Sequence, residues 1–127
     1  MGKQHSPGFL ALVNEAKSRV PELTAADVIA MMSGEESFTL IDVREESEWA
    51  AGRIKGAVHL SKGTIERDVE QCFPDKDGIL ILYCGGGYRS ALAADALQQM
   101  GYRSVVSMDG GWRGWQAAQG PTEAGSG

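Results

Sequence analysis

Short unbroken apolar runs predict the strands of this chain. Residues 39–41 and 79–83 are apolar or β-branched throughout, which is typical of strands buried on both faces of a sheet. Residues 104–107 repeat the pattern more weakly, and residues 58–60 and 22–23 predict two shorter strands, the second at a sheet edge. Polar segments separate these runs, so each strand ends before the next element begins.

Helical spacing of apolar residues fills the segments between the strands. An amphipathic stripe ending at Pro21 predicts a first helix, with apolar positions Phe9, Leu12, Val13, Ala16 and Val20. Thr24 predicts the N-cap of a second helix that ends near Gly34. Further helices are predicted over residues 45–51 and 64–71, from Arg89 to Met100, and around Trp112 and Trp115, whose rings we expect to pack.

Strands that alternate with helices are typical of a parallel α/β sheet. We therefore predict a single α/β domain with a central parallel sheet of about five strands and helices on both faces. In such sheets, ligands bind where the strands end at their carboxyl edge. The first helix packs against the rest of the domain in our preferred interpretation, with contact to a partner protein as the alternative.

Composition narrows the class of protein. The chain has 127 residues, 43% of them hydrophobic, which suits one domain with a real core. A net charge of −5 and a pI of about 5.0 argue against a nucleic-acid surface, so anionic ligands need a local positive site. No apolar stretch is long enough for a membrane span. Two separated cysteines and no secretory pattern predict a reducing, cytoplasmic setting.

The segment from Cys84 to Ser90 combines the features of a reactive thiol site. A cysteine follows the most apolar strand, then come three glycines, Tyr88, Arg89 and Ser90 at the start of a helix. Glycines adopt positive φ values that turn successive backbone N–H groups inward, and the helix N-terminus and Arg89 add positive charge. We expect an anion cradle that favours the thiolate of Cys84, rather than a cysteine that is merely buried.

Other chemical groups are predicted to support this loop or to be structural. Asp42 and Arg44 close the strand that ends near residue 41, and we expect them to hold that junction beside the loop. Arg67 follows another strand and is a weaker candidate for anion binding. His59 is predicted to be a hydrogen-bonded structural residue, and Cys72 a packed cysteine, with a resolving thiol as its alternative.

Three motifs resemble those of the rhodanese (sulfurtransferase) family. The segment CGGGYRS resembles its active-site loop, LIDVREESEWAAGRIKGAVHL its other signature, and MDGGWRGW its C-terminal motif. The resemblance spans residues 22–118, which leaves residues 1–21 as an N-terminal extension and residues 119–127 as a flexible tail. Arg53 departs from the family pattern, because many members have His there.

The resemblance implies covalent sulfur transfer. Cys84 would be the catalytic residue, and Gly85, Gly86, Gly87, Tyr88, Arg89 and Ser90 would bind the substrate, with no metal or cofactor. A small anionic sulfur donor and a thiol or protein-thiol acceptor are the expected partners. Two alternatives remain open: a binding or redox-sensing module, and a cysteine phosphatase or arsenate reductase. Four residues separate Cys84 from Arg89, whereas the phosphatase signature has five, which disfavours the phosphatase.

Overall fold

A computed structural model describes residues 5–124, which form six helices and seven strands. The helices are α1 (Pro7–Lys17), α2 (Ala25–Met32), α3 (Glu46–Ala51), α4 (Ile65–Cys72), α5 (Tyr88–Gln99) and α6 (Gly111–Ala117). The strands are β1 (Glu22–Leu23), β2 (Thr39–Asp42), β3 (Arg53–Ile54), β4 (Val58–His59), β5 (Leu80–Tyr83), β6 (Val105–Met108) and β7 (Thr122–Glu123). None of the described helices is long and apolar enough to cross a membrane.

Five strands form one sheet in the order β1-β6-β5-β2-β4, and every neighbouring pair in it is parallel. This confirms the predicted α/β fold and its central parallel sheet. Strand β5 occupies the middle, and all four of its residues are buried. The chain leaving β5 therefore emerges at the centre of the carboxyl edge, where parallel sheets bind ligands.

Two apolar cores lie on opposite faces of the sheet, because successive strand residues point to opposite sides. One core joins β2 and β5 to α4 and α5, and is built around Leu82, Ile65 and Leu97. The other joins them to α2 and α6, and is built around Ile81 and Trp115. The helices α5 and α6, which flank the site described below, are thus fixed to opposite faces of the same strands.

Helix α1 packs on α5, as the preferred interpretation predicted. Val13 and Ala16 are buried, and the Arg19 guanidinium binds both carboxylate oxygens of Asp95 on α5, at 2.9 and 2.8 Å. The predicted apolar stripe was wrong at Leu12, whose side chain is 63% exposed. Leu10, which is not part of the predicted stripe, is half-buried.

Two further expectations differ from the structure. Cys72 is exposed rather than packed, because it is the last residue of α4 and lies at the mouth of a groove beside Leu80, at the amino edge of the sheet. Residues 122–123 form β7 and pair with β3, although a flexible tail is predicted there. The backbone N–H of Lys55 and the indole N–H of Trp115 both donate to the Pro121 carbonyl and hold this segment. The remainder of the predicted tail, residues 125–127, lies outside the described residues.

Candidate active site

The Cys84 thiol lies at the carboxyl end of β5, where the chain turns into α5. Two backbone N–H groups donate to its sulfur, and the Ser90 hydroxyl is its third partner: that oxygen accepts from the neutral thiol, and the hydroxyl can donate to a thiolate. The backbone N–H of Gly87 lies 3.1 Å from Sγ, the N–H of Ser90 lies 3.4 Å away, and the Ser90 hydroxyl lies 3.5 Å away. Hydrogen bonds donated to a sulfur stabilise negative charge on it, such as a thiolate nucleophile or a persulfide anion carries.

The glycines of the loop contribute less uniformly than predicted. Only Gly87 among the three adopts a positive φ, of 99°, and it caps the start of α5. The turn at Gly87 directs its own N–H and that of Ser90 to the sulfur. The remaining amides of the loop make no hydrogen bond to Sγ, so the cradle around the sulfur has two backbone donors.

A second serine extends the hydrogen-bond chain behind the sulfur. Ser107, on β6, places its hydroxyl oxygen 2.7 Å from that of Ser90, and both residues are fully buried. A hydroxyl donates only one hydrogen. If Ser107 donates to Ser90, then Ser90 is free to donate to Cys84, and the three groups align toward the sulfur. Sequence analysis missed Ser107, because the pairing of β5 with β6 alone brings it here.

The first turn of α6 holds the loop around the sulfur through hydrogen bonds to its backbone carbonyls. The N–H of Trp112 donates to the Cys84 carbonyl at 2.7 Å, and the N–H of Arg113 donates to the Gly85 carbonyl at 3.1 Å. Gly111 permits this approach, since it has a φ of 53° and a Cβ there would overlap the Cys84 carbonyl oxygen. With these carbonyls bound outward, the loop can turn the amides of Gly87 and Ser90 to the sulfur.

Arg89 is held by a carboxylate rather than left free. Its guanidinium binds both carboxylate oxygens of Glu48 on α3, at 2.8 and 3.1 Å. Hydrogen bonding from Arg89 is the main cause that lowers the pKa of Glu48 to about 2. Glu48 stands four residues after Arg44 in the sequence, but its carboxylate pairs with Arg89, 41 residues away.

Asp42 and Arg44 form a buried ion pair under the site. The Asp42 carboxylate accepts hydrogen bonds from the backbone N–H and from Nε and Nη2 of Arg44, and Nη2 also donates to the Gly52 carbonyl at 2.6 Å. The Arg44 guanidinium lies 5.0 Å from the centre of the Trp112 ring. The pair thus supports the turn that binds the Cys84 carbonyl, and it does not line the cavity described next.

A cavity of about 470 Å³ opens above the thiol. Its walls include most of the predicted loop and four residues that sequence analysis did not assign to the site: His5, Phe9, Glu48 and Arg113. Arg67 does not line it, and its exposed guanidinium pairs with the adjacent Asp68 at 2.7 Å. His59 is structural as predicted, with its Nε2 2.8 Å from the Arg44 carbonyl oxygen.

A family model matches the part of the chain that contains the Cys84 loop. The model of the rhodanese-like domain matches residues 24–118, which contain every strand of the main sheet except β1. The chain belongs to the rhodanese-like family. Helix α1, with Phe9 at the cavity, lies outside the part of this rhodanese-like protein that the family model matches.

Curated relatives of this rhodanese-like chain carry sulfurtransferase names. A Bacillus subtilis protein provisionally named sulfurtransferase YtwF is 32% identical over 102 residues, which cover 80% of this chain and 96% of the relative. The thiosulfate sulfurtransferase GlpE of Tolumonas auensis is 34% identical over 80 residues, which cover 63% of this chain and 74% of the relative. This chain spans 54% of the length of another Bacillus subtilis relative, provisionally named sulfur carrier protein YrkF, at 30% identity.

A solved structure resembles nearly the whole rhodanese-like chain. It belongs to a protein of unknown function from Rhodopseudomonas palustris CGA009, described as a possible tyrosine phosphatase. The two chains are 34% identical with a TM-score of 0.84, and the match covers 97% of this chain and 99% of that one. The likeness therefore extends over α1 as well as the family domain.

Proposed function

We propose that this protein is a sulfurtransferase that carries sulfur as a persulfide on Cys84. One observation carries the proposal: two backbone amides and the Ser90 hydroxyl converge on the sulfur of Cys84, at 3.1 to 3.5 Å, below a cavity of about 470 Å³. Donors fixed around one sulfur stabilise both a thiolate nucleophile and the persulfide anion that replaces it.

Two displacements account for the turnover. The Cys84 thiolate attacks the outer sulfur of thiosulfate or of a persulfide, a new S–S bond forms, and the donor's S–S bond breaks. Sulfite or a thiolate leaves with the electron pair of that bond. A thiol or cyanide acceptor then attacks the terminal sulfur of the Cys84 persulfide, takes it, and restores the thiolate. No electron is gained or lost overall, and the scheme needs no metal or cofactor.

The loop residues bind the donor in this proposal, and the supporting residues hold the loop in place. Of the six loop residues predicted to bind the substrate, Gly85, Gly86, Tyr88 and Arg89 line the cavity, with Arg89 held by Glu48, whereas Gly87 and Ser90 act on the sulfur from behind. Asp42 and Arg44 position the turn that fastens the cradle. The expected partners are a small anionic sulfur donor and a thiol or protein-thiol acceptor, consistent with the name of the Tolumonas relative. The cytoplasmic setting stays a prediction from cysteine usage.

The phosphatase alternative is less well supported by the geometry. A phosphatase arginine binds phosphate oxygens through its paired N–H groups, which resemble a fork. In this site the fork of Arg89 already binds both oxygens of Glu48. A redox-sensing role would use the same thiol without an acceptor, so it is distinguished by turnover rather than by geometry.

Intact-mass spectrometry of the reduced protein tests the proposal. After thiosulfate we expect a gain of roughly 32 Da that disappears when cyanide or a thiol is added. The gain should be absent from Cys84→Ala and retained in Cys72→Ala, the matched control for the exposed second cysteine. The absence of a gain with both thiosulfate and glutathione persulfide would overturn the proposal, and hydrolysis of p-nitrophenyl phosphate would favour the phosphatase.

A further inference from the structure

The positive charge that faces the donor does not come from Arg89. Both oxygens of Glu48 accept hydrogen bonds from its guanidinium, and the two residues line the same cavity, so together they offer almost no net charge to an anion. Arg89 therefore acts as a positioning residue beside the sulfur. Another cation has to attract the donor.

Arg113, on α6, meets this requirement. Its exposed guanidinium lies directly over the loop, because a Cβ built on Gly86 would overlap its Nη2. Within residues 5–124, no carboxylate pairs with it and its guanidinium makes no hydrogen bond. It lines the cavity that contains Cys84, so its charge is available to an anionic group of a bound donor.

Aromatic rings form a second part of the cavity wall. The Tyr88 ring lies 4.5 Å from His5 and 6.2 Å from Phe9, measured between ring centres, and all three residues line the cavity. The Lys17 ammonium lies 5.3 Å from the centre of the Tyr88 ring and also pairs with Glu22. With Lys17 fixed by this ion pair, its contact with the ring holds Tyr88 in place. Such a wall gives an apolar surface to an organic group.

The size of the cavity exceeds the need of an inorganic donor. Thiosulfate has five heavy atoms and occupies on the order of 100 Å³, given about 30 Å³ for one water in the liquid. The cavity holds about 470 Å³, within the range of sites for organic ligands. We propose that Arg113 and the aromatic wall of Phe9 and Tyr88 form an extended site for an organic anionic sulfur donor, such as a thiosulfonate.

This inference rests on the proposed function and names the donor class for it. With benzenethiosulfonate, the Cys84 thiolate bonds to the terminal sulfur, the S–S bond of the donor breaks, and benzenesulfinate leaves with the electron pair. The sulfonyl oxygens of the donor pair with Arg113, and the phenyl ring lies against Phe9 and Tyr88. Thiosulfate uses the same cation but leaves the aromatic wall uncovered.

Steady-state kinetics with both donors, at saturating cyanide, separate the two parts of the site. Because the donors differ in intrinsic reactivity, the informative quantity is the change in each kcat/KM on substitution. Arg113→Gln should lower both values about tenfold, mainly through KM, as expected for a lost charge-assisted bond. Phe9→Ala should lower only the benzenethiosulfonate value, about fivefold.

Matched control variants distinguish a specific effect on donor binding from a general loss of structure. Arg103→Gln removes an exposed arginine at the opposite edge of the sheet, and Leu12→Ala removes an exposed apolar side chain from the same helix as Phe9. Neither should change either kcat/KM. Arg113→Lys should restore part of the loss, and Phe9→Leu keeps an apolar group if Phe9→Ala loosens α1.

Alkylation of Cys84 tests the charge independently of sulfur transfer. Iodoacetate is an anion and iodoacetamide is neutral, so the ratio of their rate constants reports attraction of an anion to the thiol. Arg113→Gln should reduce that ratio about tenfold with little change in the iodoacetamide rate.

An unchanged ratio overturns the role of Arg113, and an equal effect of Phe9→Ala on both donors overturns the aromatic wall. If neither donor transfers sulfur, the proposed function fails while the alkylation ratio still tests the cation.

Discussion

Gly111 lies outside the catalytic loop, but replacing it with alanine should displace the loop backbone that surrounds the Cys84 sulfur. A Cβ at position 111 would overlap the Cys84 carbonyl oxygen, and would lie 2.8 Å from the Gly85 carbonyl carbon and 2.9 Å from the Gly86 nitrogen. These are backbone atoms, so a side-chain rotation cannot relieve the overlap. Either the loop or the start of α6 must move.

The expected cost has two parts. Holding alanine at a φ of 53° costs roughly 1–2 kcal/mol, and forcing an extra methyl group into packed backbone costs roughly 1–3 kcal/mol. The smaller freedom of alanine in the unfolded chain offsets about 0.5 kcal/mol of this. A net loss of about 3 kcal/mol corresponds to a fall in Tm of about 10 °C for a chain of this length.

Gly110→Ala is the matched control, because it separates the two parts. Gly110 has a φ of 81°, but the nearest heavy atom to its Cβ would be the Gly114 Cα at 3.6 Å. This variant should therefore show only the conformational cost, of about 1 kcal/mol. Thermal unfolding followed by circular dichroism gives both values, and the rate of Cys84 persulfide formation reports the state of the cradle.

We expect Gly111→Ala to lose more than tenfold in the rate of persulfide formation, even well below its Tm, while Gly110→Ala retains most of it. The reasoning would be refuted by a Gly111→Ala protein that matches Gly110→Ala in both Tm and rate. That result would mean that the backbone bonds from α6 do not hold the loop in the form that activates Cys84.

Two further predictions concern the groups around the thiol. Glu48→Gln should reduce the free energy of unfolding by about 1 kcal/mol at pH 7, a small value because the ion pair with Arg89 is about one-third exposed. Since the folded pKa of Glu48 is about 2, below its ordinary value of 4.5, this difference should be present above pH 4.5 and vanish as the pH falls to about 2. Ser107→Ala should slow alkylation of Cys84 by iodoacetamide several-fold, because Ser90 loses the hydrogen-bond partner that orients its hydroxyl.

Urea unfolding at several pH values measures the first prediction, and Glu70→Gln, which removes an exposed carboxylate paired with Lys76, is its control. A difference that persists unchanged at pH 2 would contradict the assigned ion pair. For the second, Ser104→Ala removes a hydroxyl just before the same strand and far from the thiol. Equal alkylation rates in the two serine variants would show that Ser107 does not orient Ser90.

The sequence predicts most of what depends on local pattern. The apolar run of β5 and the glycines after it locate Cys84 at the carboxyl edge of the sheet, because both features are contiguous along the chain. Strands β3 and β7 were missed, since Ile54 is the single hydrophobic residue among their four residues and no apolar run marks either strand. They pair with each other across the fold, and a hydrogen bond from the Lys55 N–H to the Pro121 carbonyl lies beside that pairing.

The hydrophobic and polar pattern of the sequence could not predict which side chains pair when they are distant along the chain. Glu48 pairs with a residue 41 positions away, and Ser90 meets a serine 17 positions away, so neither pairing has a local signature. Arg113 lies inside a motif that was recognised, but only the placement of α6 over the loop directs its side chain to the cavity. The residues that were missed are those that touch the site from a neighbouring element.

The turn at the start of α6 combines two tasks that different atoms perform. Backbone N–H groups of Trp112 and Arg113 hold the Cys84 and Gly85 carbonyls, and any residue other than proline can supply such a group. The side chain at position 113 is therefore free to change without loosening the cradle. Position 111 has no such freedom, because its Cβ would enter the loop backbone. Donor selectivity at position 113 should thus be separable from thiol activation, since exchanging Arg113 alters the charge over the cavity but leaves the bonds that shape the cradle.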